Sequence, residues 1–181
     1  MSRPSQVIIL AEDERHERLV RRYLYRLGHS RHDIRVEALP SGRGCGEQWV
    51  RERYAGVVKT YRGRSVRAGT SLIAAIDADT GDLDRRLRQF REALDLAGLA
   101  ARTGGEAIVH LIPKRSVETW VLCLNGRPVD EDTDYSREGD VDRLIPAAAV
   151  TFFEWSRVNA TPPAHCLPSL LAAIPEVRRL E

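Results

Sequence analysis

Lysine is nearly absent from the sequence, and several features that define common protein classes are absent altogether. Only two of the 28 basic residues are lysines, which is what a GC-rich genome produces. The three cysteines lie far apart and form no C-x-x-C pair, which argues against a disulfide framework and against a zinc site. No apolar run approaches the ~20 residues of a membrane-spanning helix, and no signal-peptide pattern opens the chain. We therefore expect a cytoplasmic protein without a membrane contact.

Charge is distributed unevenly along the 181 residues, although the net charge is only +2. Residues 14–67 contain fourteen arginines or lysines and six acidic residues, whereas residues 130–142 contain seven acidic residues and one arginine. A basic segment suits a polyanionic partner, but helical arginines also commonly cover solvated faces. The sequence therefore predicts nucleic acid as a partner, and it leaves a protein partner or a homodimer open.

Short apolar runs alternate with longer amphipathic segments between residues 6 and 112. The short runs predict four strands, and the segments with an apolar stripe at helical spacing predict the intervening helices. This order is typical of the α/β class, with a mainly parallel four-stranded sheet flanked by helices and followed here by C-terminal helices. The predicted strands are 6–11, 33–39, 71–76 and 107–112, and the predicted helices are 14–27, 47–61, 82–99, 117–124, 145–158 and 168–180.

One domain with an extension is predicted from these patterns. Residues 1–125 form the α/β core, residues 126–142 form an acidic irregular insertion, and residues 143–181 form a helical extension that packs on the core. Phe152, Phe153 and Trp155 are too bulky to stay exposed, so we expect their helix to pack on the sheet or across a dimer.

Acidic residues follow the predicted strands at the points where those strands end. Glu12 follows the first strand, Asp77 and Asp79 follow the third, and Glu118 comes shortly after the fourth. Because functional groups gather at the carboxyl edge of a parallel sheet, we expect these side chains to converge. Converging carboxylates repel one another unless a cation lies between them, and oxygen ligands favour Mg²⁺ or Mn²⁺. We predict a metal site of Glu12, Asp77 and Asp79.

Polar residues near the same edge are candidates for contact with a phosphate group. Lys114 follows the fourth strand and could act there as a point charge, with Arg115 in a similar position. The glycine-rich loop 41–49 favours a turn, and Arg43 and Gln48 in it are candidate substrate contacts. A solvated loop position remains open for Lys114. His16, four residues after Glu12, is predicted to be a surface histidine, and a role as a base or a metal ligand remains open.

An acidic residue after the first strand, followed by D-x-D after the third, resembles the Toprim domain of topoisomerases, primases and OLD-family nucleases. The segment IPKRSVETWVL is similar to the small stand-alone Toprim-like proteins of the RloB type, which are often associated with bacterial defence loci. The resemblance covers residues 5 to 125. It implies a general acid/base or metal-ligand role for Glu12, magnesium binding by Asp77 and Asp79, and a catalytic role for Glu118.

The chain departs from the family pattern at two positions. Asp13 stands where a glycine often follows the family glutamate, and the glycine of the family's D-x-D-x-x-G form is displaced to Gly81. The resemblance implies a Mg²⁺-dependent nuclease that hydrolyses DNA or RNA and serves as a phage-defence effector, with Glu12 and Glu118 as catalytic residues. Lys114 is added as a catalytic candidate because of its position after the fourth strand. Two other functions remain open from the sequence. One is a non-catalytic Toprim-like binding subunit of a larger complex, and the other is a nucleotide-processing phosphoryl-transfer enzyme.

Overall fold

The computed structural model describes residues 6–38, 46–79 and 82–181, and these contain one four-stranded, all-parallel sheet with helices on both faces. The predicted α/β class, the parallel four-stranded sheet and the C-terminal helices are confirmed. The elements are β1 (Gln6–Ala11), α1 (Glu14–Arg26), β2 (Ile34–Val36), α2 (Gly46–Ala68), β3 (Thr70–Ala75), α3 (Leu83–Leu96), β4 (Ile108–Leu111), α4 (Val117–Leu124), α5 (Val141–Ser156) and α6 (Pro168–Val177), with short 3₁₀ turns at Arg31–Asp33 and Arg178–Leu180.

The two central strands end side by side. The strand order is β2-β1-β3-β4, and β1 pairs with β3 in register from Gln6 opposite Thr70 to Ala11 opposite Ala75. The ladder continues one residue further, because the backbone N–H of Glu12 donates to the carbonyl of Ala75 over 2.9 Å. The chain therefore delivers whatever follows Ala11 and Ala75 to the same place on the carboxyl edge.

Alternate residues of each central strand bury into opposite faces of the sheet. Ile8 and Leu10 pack under α2 and α3, whereas Val7, Ile9 and Ala11 pack under the other helices. Both sets are fully buried, which explains why the strands are continuous apolar runs rather than half-polar alternations.

The second face carries a thicker helical layer, formed by α1, α4, α5 and α6. Every residue of α4 is buried, and its Trp120 indole donates to Ser169 Oγ over 2.7 Å. Phe152 of α5 is also fully buried and packs on Tyr23 of α1, with ring centroids 5.0 Å apart. The C-terminal helix α5 thus contacts α1 and α4, and its neighbours Phe153 and Trp155 are partly buried against the same core.

The two edges of the sheet are protected differently. Edge strand β2 has only three residues, whereas the free side of β4 is occupied by side chains. Arg102 donates to the carbonyl of Ile108 over 2.9 Å, and Glu176 accepts from the backbone N–H of His110 over 2.9 Å. Arg102 and Glu176 are also paired with each other. Outward-facing backbone groups of β4 therefore already have partners.

Several predicted boundaries differ from the structure, among them the start of α5, which lies at Val141 instead of residue 145. Of the glycine-rich loop predicted at 41–49, residues 41–45 lie outside the described residues and the rest belongs to α2. Strand β2 spans Ile34–Val36 instead of 33–39, and α2 continues to Ala68 instead of residue 61. The extra turns of α2 are anchored by Arg62, which pairs with Glu106 and donates to two loop carbonyls. These contacts come from a distant part of the chain and leave no mark on local periodicity.

Candidate metal centre

Glu12 and Asp77 lie together at the carboxyl edge of the sheet. Glu12 follows β1 directly, and its Oε2 accepts a hydrogen bond of 2.8 Å from the backbone N–H of Asp77, just beyond β3. The register of β1 and β3 accounts for this contact, because Ala11 and Ala75 are paired. Residues 65 positions apart in the chain are therefore brought into contact by the parallel ladder.

His16 completes this cluster, and its prediction as a surface histidine is wrong. Its side chain is 2% exposed. Nε2 lies 3.0 Å from Asp77 Oδ1, and Nδ1 lies 2.9 Å from Asp13 Oδ1. Asp13 is the N-cap of α1 and also accepts from the backbone N–H of His16. The cap therefore fixes the first turn of the helix so that His16 faces the strand ends.

Glu12, His16 and Asp77 form a group that can hold a metal ion. One ligand atom from each lies within 4.8 Å of the other two. The 3.0 Å contact of His16 Nε2 with Asp77 Oδ1 is a hydrogen bond, and a cation would have to replace the proton in it, because a metal-binding imidazole nitrogen carries none. Asp13 supplies the carboxylate that commonly orients a metal-binding imidazole through its other nitrogen. The donor set fits a divalent cation.

Burial and mutual charge change the proton affinity of the cluster. Burial raises the pKa of Glu12 to about 7, with Asp77 adding to the rise and His16 opposing it. Burial also disfavours a charged His16, but Asp77 and Asp13 outweigh it and hold the His16 pKa well above its usual value. Burial would raise the pKa of Asp13 too, yet its hydrogen bonds from His16 lower it to about 2. The protonated imidazole thus acts as an internal counter-charge.

Gly46, the first residue of α2, lies against Glu12. A Cβ placed on Gly46 would come within 2.4 Å of the Glu12 carbonyl oxygen and 2.8 Å of Glu12 Cγ. Contacts this short do not occur for real Cβ atoms, so only glycine lets the helix approach Glu12 so closely. The sequence predicts a turn at Gly46, and the close approach of α2 to Glu12 depends on how the helix packs on the sheet.

Asp79 lies outside the three-residue group, although it was predicted as a metal ligand. It adopts a left-handed backbone conformation with φ 57°, and its Oδ2 accepts from Arg86 of α3 over 3.2 Å. Its side chain is 60% exposed, whereas that of Asp77 is 13% exposed. Because the chain leaves the extended geometry after β3, the two aspartates do not point to one ion. Asp79 still adds to the negative field at Glu12.

Arg86 is a buried cation that contacts the turn containing Asp77 and Asp79. Its guanidinium donates to the carbonyl of Asp77 over 2.6 Å and pairs with Glu47 of α2. A polar cleft of about 220 Å³ opens beside it, bounded by Asp79, Arg85 and Gln89. Arg86 therefore connects the Asp77–Asp79 turn to both helices on that face of the sheet.

Glu118 lies close enough to Asp77 to act on its charge, but it is paired with Arg15. The Glu118 side chain is 7% exposed, and Arg15 donates to its Oε1. Glu118 is one of the charges that raise the pKa of Asp77, after burial and against the attraction of His16. The predicted catalytic acid is thus near the cluster and belongs to an ion pair.

The predicted phosphate contacts are placed unequally. Lys114 is exposed and pairs with Asp132 over 2.7 Å, and Arg115 lies 3.9 Å from Asp134. Gln48 is exposed in the first turn of α2, where it donates to Glu52 over 2.7 Å. Arg43 lies outside the described residues. Lys114 and Arg115 remain adjacent to the site, because the carbonyl of Pro113 accepts from the N–H of Ala78 over 2.8 Å.

Comparisons of the chain with protein-family models, curated proteins and solved structures each found no match. Among the residues that the structure describes, no helix combines the length and apolarity needed to cross a membrane. The function is therefore argued from the arrangement of side chains and from the motifs of the chain itself.

Proposed function

We propose that the chain is a metal-dependent nuclease of Toprim-like type, which hydrolyses phosphodiester bonds of DNA or RNA with Mg²⁺ or Mn²⁺. The convergence of Glu12 and Asp77 from neighbouring strand ends carries this proposal. An imidazole beside two carboxylates suits Mn²⁺ at least as well as Mg²⁺, because nitrogen is a softer donor than oxygen. A defence role follows only from the resemblance of the motifs to proteins of the RloB type.

Glu12, His16 and Asp77 would hold the cation, and Asp79 would contribute charge from the side. A divalent ion supplies a polarised phosphoryl oxygen and an activated water. Without an ion, burial raises the pKa of Glu12 to about 7, and a bound dication would lower it and favour the carboxylate that serves as a ligand. Asp13 orients His16, and the backbone N–H of Asp77 orients Glu12.

The surroundings of the cluster suit an anionic substrate. Arg85 and Arg86 bound the polar cleft beside Asp79, and Lys114 and Arg115 follow Pro113 on the other side. Arginine binds phosphate oxygens through two donors at once, which fixes the position of the group as well as neutralising it. Arg86 is already paired with Glu47 and Asp79, and Lys114 and Arg115 lie near Asp132 and Asp134. The exposed Arg85 therefore offers the most direct support for an anionic substrate.

The test is cleavage by the purified full chain of labelled single-stranded and double-stranded DNA and RNA, with Mg²⁺, Mn²⁺ or EDTA. We expect product only with a metal, and we expect Glu12→Gln to lower the rate at least about 100-fold because it removes a metal ligand and its charge. Glu14→Gln, an exposed position two residues away, is the matched control and should cleave as the parent does. Cleavage in EDTA, or equal rates for the two variants, would contradict the proposal.

A second function, a non-catalytic nucleic-acid-binding subunit, is favoured by one observation. The carboxylates already have internal cations, since His16 lies on Asp77 and Arg86 lies on Asp79. A site balanced in this way can be stable without an ion. Isothermal titration of the chain with Mn²⁺ distinguishes the two functions: no heat of binding, together with nucleic-acid binding in EDTA, would favour the subunit.

A further inference from the structure

The acidic segment, defined here as residues 130–142, runs from the loop after α4 into the first two residues of α5 and contacts basic residues around the candidate metal centre. Asp132 pairs with Lys114, and Asp134 lies near Arg115. Asp142 accepts from Arg18 over 2.7 Å and from Arg15 over 3.4 Å. Four cations next to the site are thus neutralised by three carboxylates from one short stretch of chain: Arg15, Arg18, Lys114 and Arg115.

These cations are directly connected to the candidate metal centre. Arg15 bridges the acidic segment to Glu118, whose charge acts on Asp77. Lys114 follows Pro113, whose carbonyl accepts from the N–H between Asp77 and Asp79. The acidic segment therefore occupies cations that lie close to the candidate metal centre.

The backbone of the acidic segment is anchored, whereas its interacting carboxylates are exposed. Glu131 accepts from the backbone N–H of Ser169 over 2.9 Å, and Tyr135 packs against the core. Asp132 and Asp134 have 84% and 53% of their side chains exposed. Ion pairs between exposed side chains are weak, so phosphate groups can replace these carboxylates without unfolding the segment.

The end of the segment at α5 offers a further acceptor to the same arginines. Pro146 lacks the N–H that would bond the carbonyl of Asp142 within the helix, and Arg18 donates to that carbonyl over 3.2 Å. Asp142 thus presents both a carboxylate and a carbonyl oxygen to α1. The geometry imitates a phosphate group with more than one accepting oxygen.

We propose that the acidic segment is an internal competitor for the phosphodiester backbone of a nucleic acid, which binds Arg15, Arg18, Lys114 and Arg115 after displacing Asp132, Asp134 and Asp142. This inference rests on the proposed function for its ligand, a nucleic acid, and it assigns the regulation of that site. Binding is then weak at rest and rises when the segment is neutralised or drawn away.

The experiment measures binding without chemistry, so that it is independent of metal and of cleavage. Fluorescence anisotropy in EDTA at low salt would compare DNA and RNA oligonucleotides of one sequence, with the parent chain and with Asp132→Asn/Asp134→Asn/Asp142→Asn. We expect the triple variant to bind about tenfold more tightly, with a steeper salt dependence because more cations meet phosphates. The more strongly bound oligonucleotide identifies the substrate class.

A charge-matched control separates local competition from a change in net charge. Glu92→Gln/Asp95→Asn/Glu154→Gln removes three acids from exposed helical positions and should tighten binding less than about threefold. Adding Lys114→Gln/Arg115→Gln to the first triple variant should remove at least half of its gain in binding free energy, because only Arg15 and Arg18 then remain for the phosphates. Equal tightening in the two triple variants, no tightening, or no nucleic-acid binding at all would overturn the inference.

Further measurements distinguish the proposed competition from misfolding of a variant and from failure of the nuclease proposal. Asp132→Asn alone changes a largely exposed side chain and should give a smaller gain of the same sign, and thermal unfolding checks that each variant is folded. If binding tightens while no variant cleaves with metal, the competitor stands and the nuclease proposal fails. If cleavage is metal-dependent but binding is unchanged, the nuclease stands and the competitor fails.

Discussion

Two of the buried histidines, His16 and His110, lie in regions with opposite effects on the charge of the imidazole. His16 lies at the carboxyl edge between Asp13 and Asp77, and these carboxylates raise its pKa against the effect of burial. His110 lies in β4 among Tyr54 and Phe90, where burial lowers its pKa well below the usual value and Arg102 adds to the fall. The surroundings of His16 at the carboxyl edge therefore stabilise a positive charge on the ring, whereas the surroundings of His110 in β4 disfavour one.

The hydrogen bonds of the two rings follow the same contrast. Both nitrogens of His16 have carboxylate partners. His110 Nε2 pairs with the hydroxyl of Tyr54 over 2.8 Å, whereas its buried Nδ1 has no hydrogen-bond partner among the described residues. Burial alone thus does not predict a functional histidine, and the neighbouring charges decide.

The largest expected effect is the loss of metal affinity when the carboxylate of Asp77, the partner of His16, is removed. Asp77→Asn takes away a ligand and a charge, so Mn²⁺ affinity measured by isothermal titration should fall at least about 100-fold. Asp79→Asn should cost about tenfold or less, because Asp79 is outside the three-residue group. Similar losses for the two variants would place the ion between the aspartates and away from His16.

A smaller effect is expected from Gly46, which connects α2 to the same region. Gly46→Ala forces the helix or Glu12 to shift, and we expect Mn²⁺ affinity to fall about tenfold, as for residues that orient metal ligands. Gly56→Ala in the same helix is the matched control, since a Cβ there meets no atom within 4 Å. It should leave metal affinity unchanged and raise the free energy of unfolding by about 0.5–1 kcal/mol.

The smallest expected effect is the contribution of His16 and His110 to the pH dependence of stability. Below pH ~6.5 the unfolded chain protonates His110 and the folded chain does not, so this residue lowers stability as pH falls. Above pH ~6.5 the folded chain keeps the His16 proton that the unfolded chain loses, so His16 lowers stability as pH rises. Each contribution has a limiting slope of about 1.4 kcal/mol per pH unit.

Urea unfolding in EDTA between pH 5 and pH 9 measures both slopes. His110→Gln, which can still pair with Tyr54, should flatten the acid side of the stability profile, and His16→Gln should flatten the alkaline side. A profile in which His16→Gln flattens the acid side instead would mean that His16 is neutral in the folded protein.

The convergence of Glu12 and Asp77 was predictable because it depends on only two features, the strand ends and the parallel order. Both can be read from apolar runs and from the helices between them. The role of His16 was missed because it depends on where α1 begins. With Asp13 as the N-cap, the first turn of α1 places His16 beside the strand ends. A D-x-x-H pattern directly after a strand would therefore have indicated this position.

The placement of Asp79 and of the acidic segment could not be predicted from local sequence. Asp79 depends on a left-handed backbone angle and on Arg86, which reaches it from α3. Composition identified residues 130–142 as acidic, but their partners Lys114, Arg15 and Arg18 come from separate elements. Such pairings arise only after the helices have packed. The predicted division at residues 125 and 142 stays a prediction.

The ion pair of Arg102 and Glu176 along β4 has a consequence for how copies of the chain can meet. A second chain that extended the sheet at that side would have to displace the side chains of Arg102 and Glu176 from the backbone of Ile108 and His110. Growth of a continuous intermolecular sheet is therefore disfavoured there, and among the described strands the other edge of the sheet is the three-residue strand Ile34–Val36.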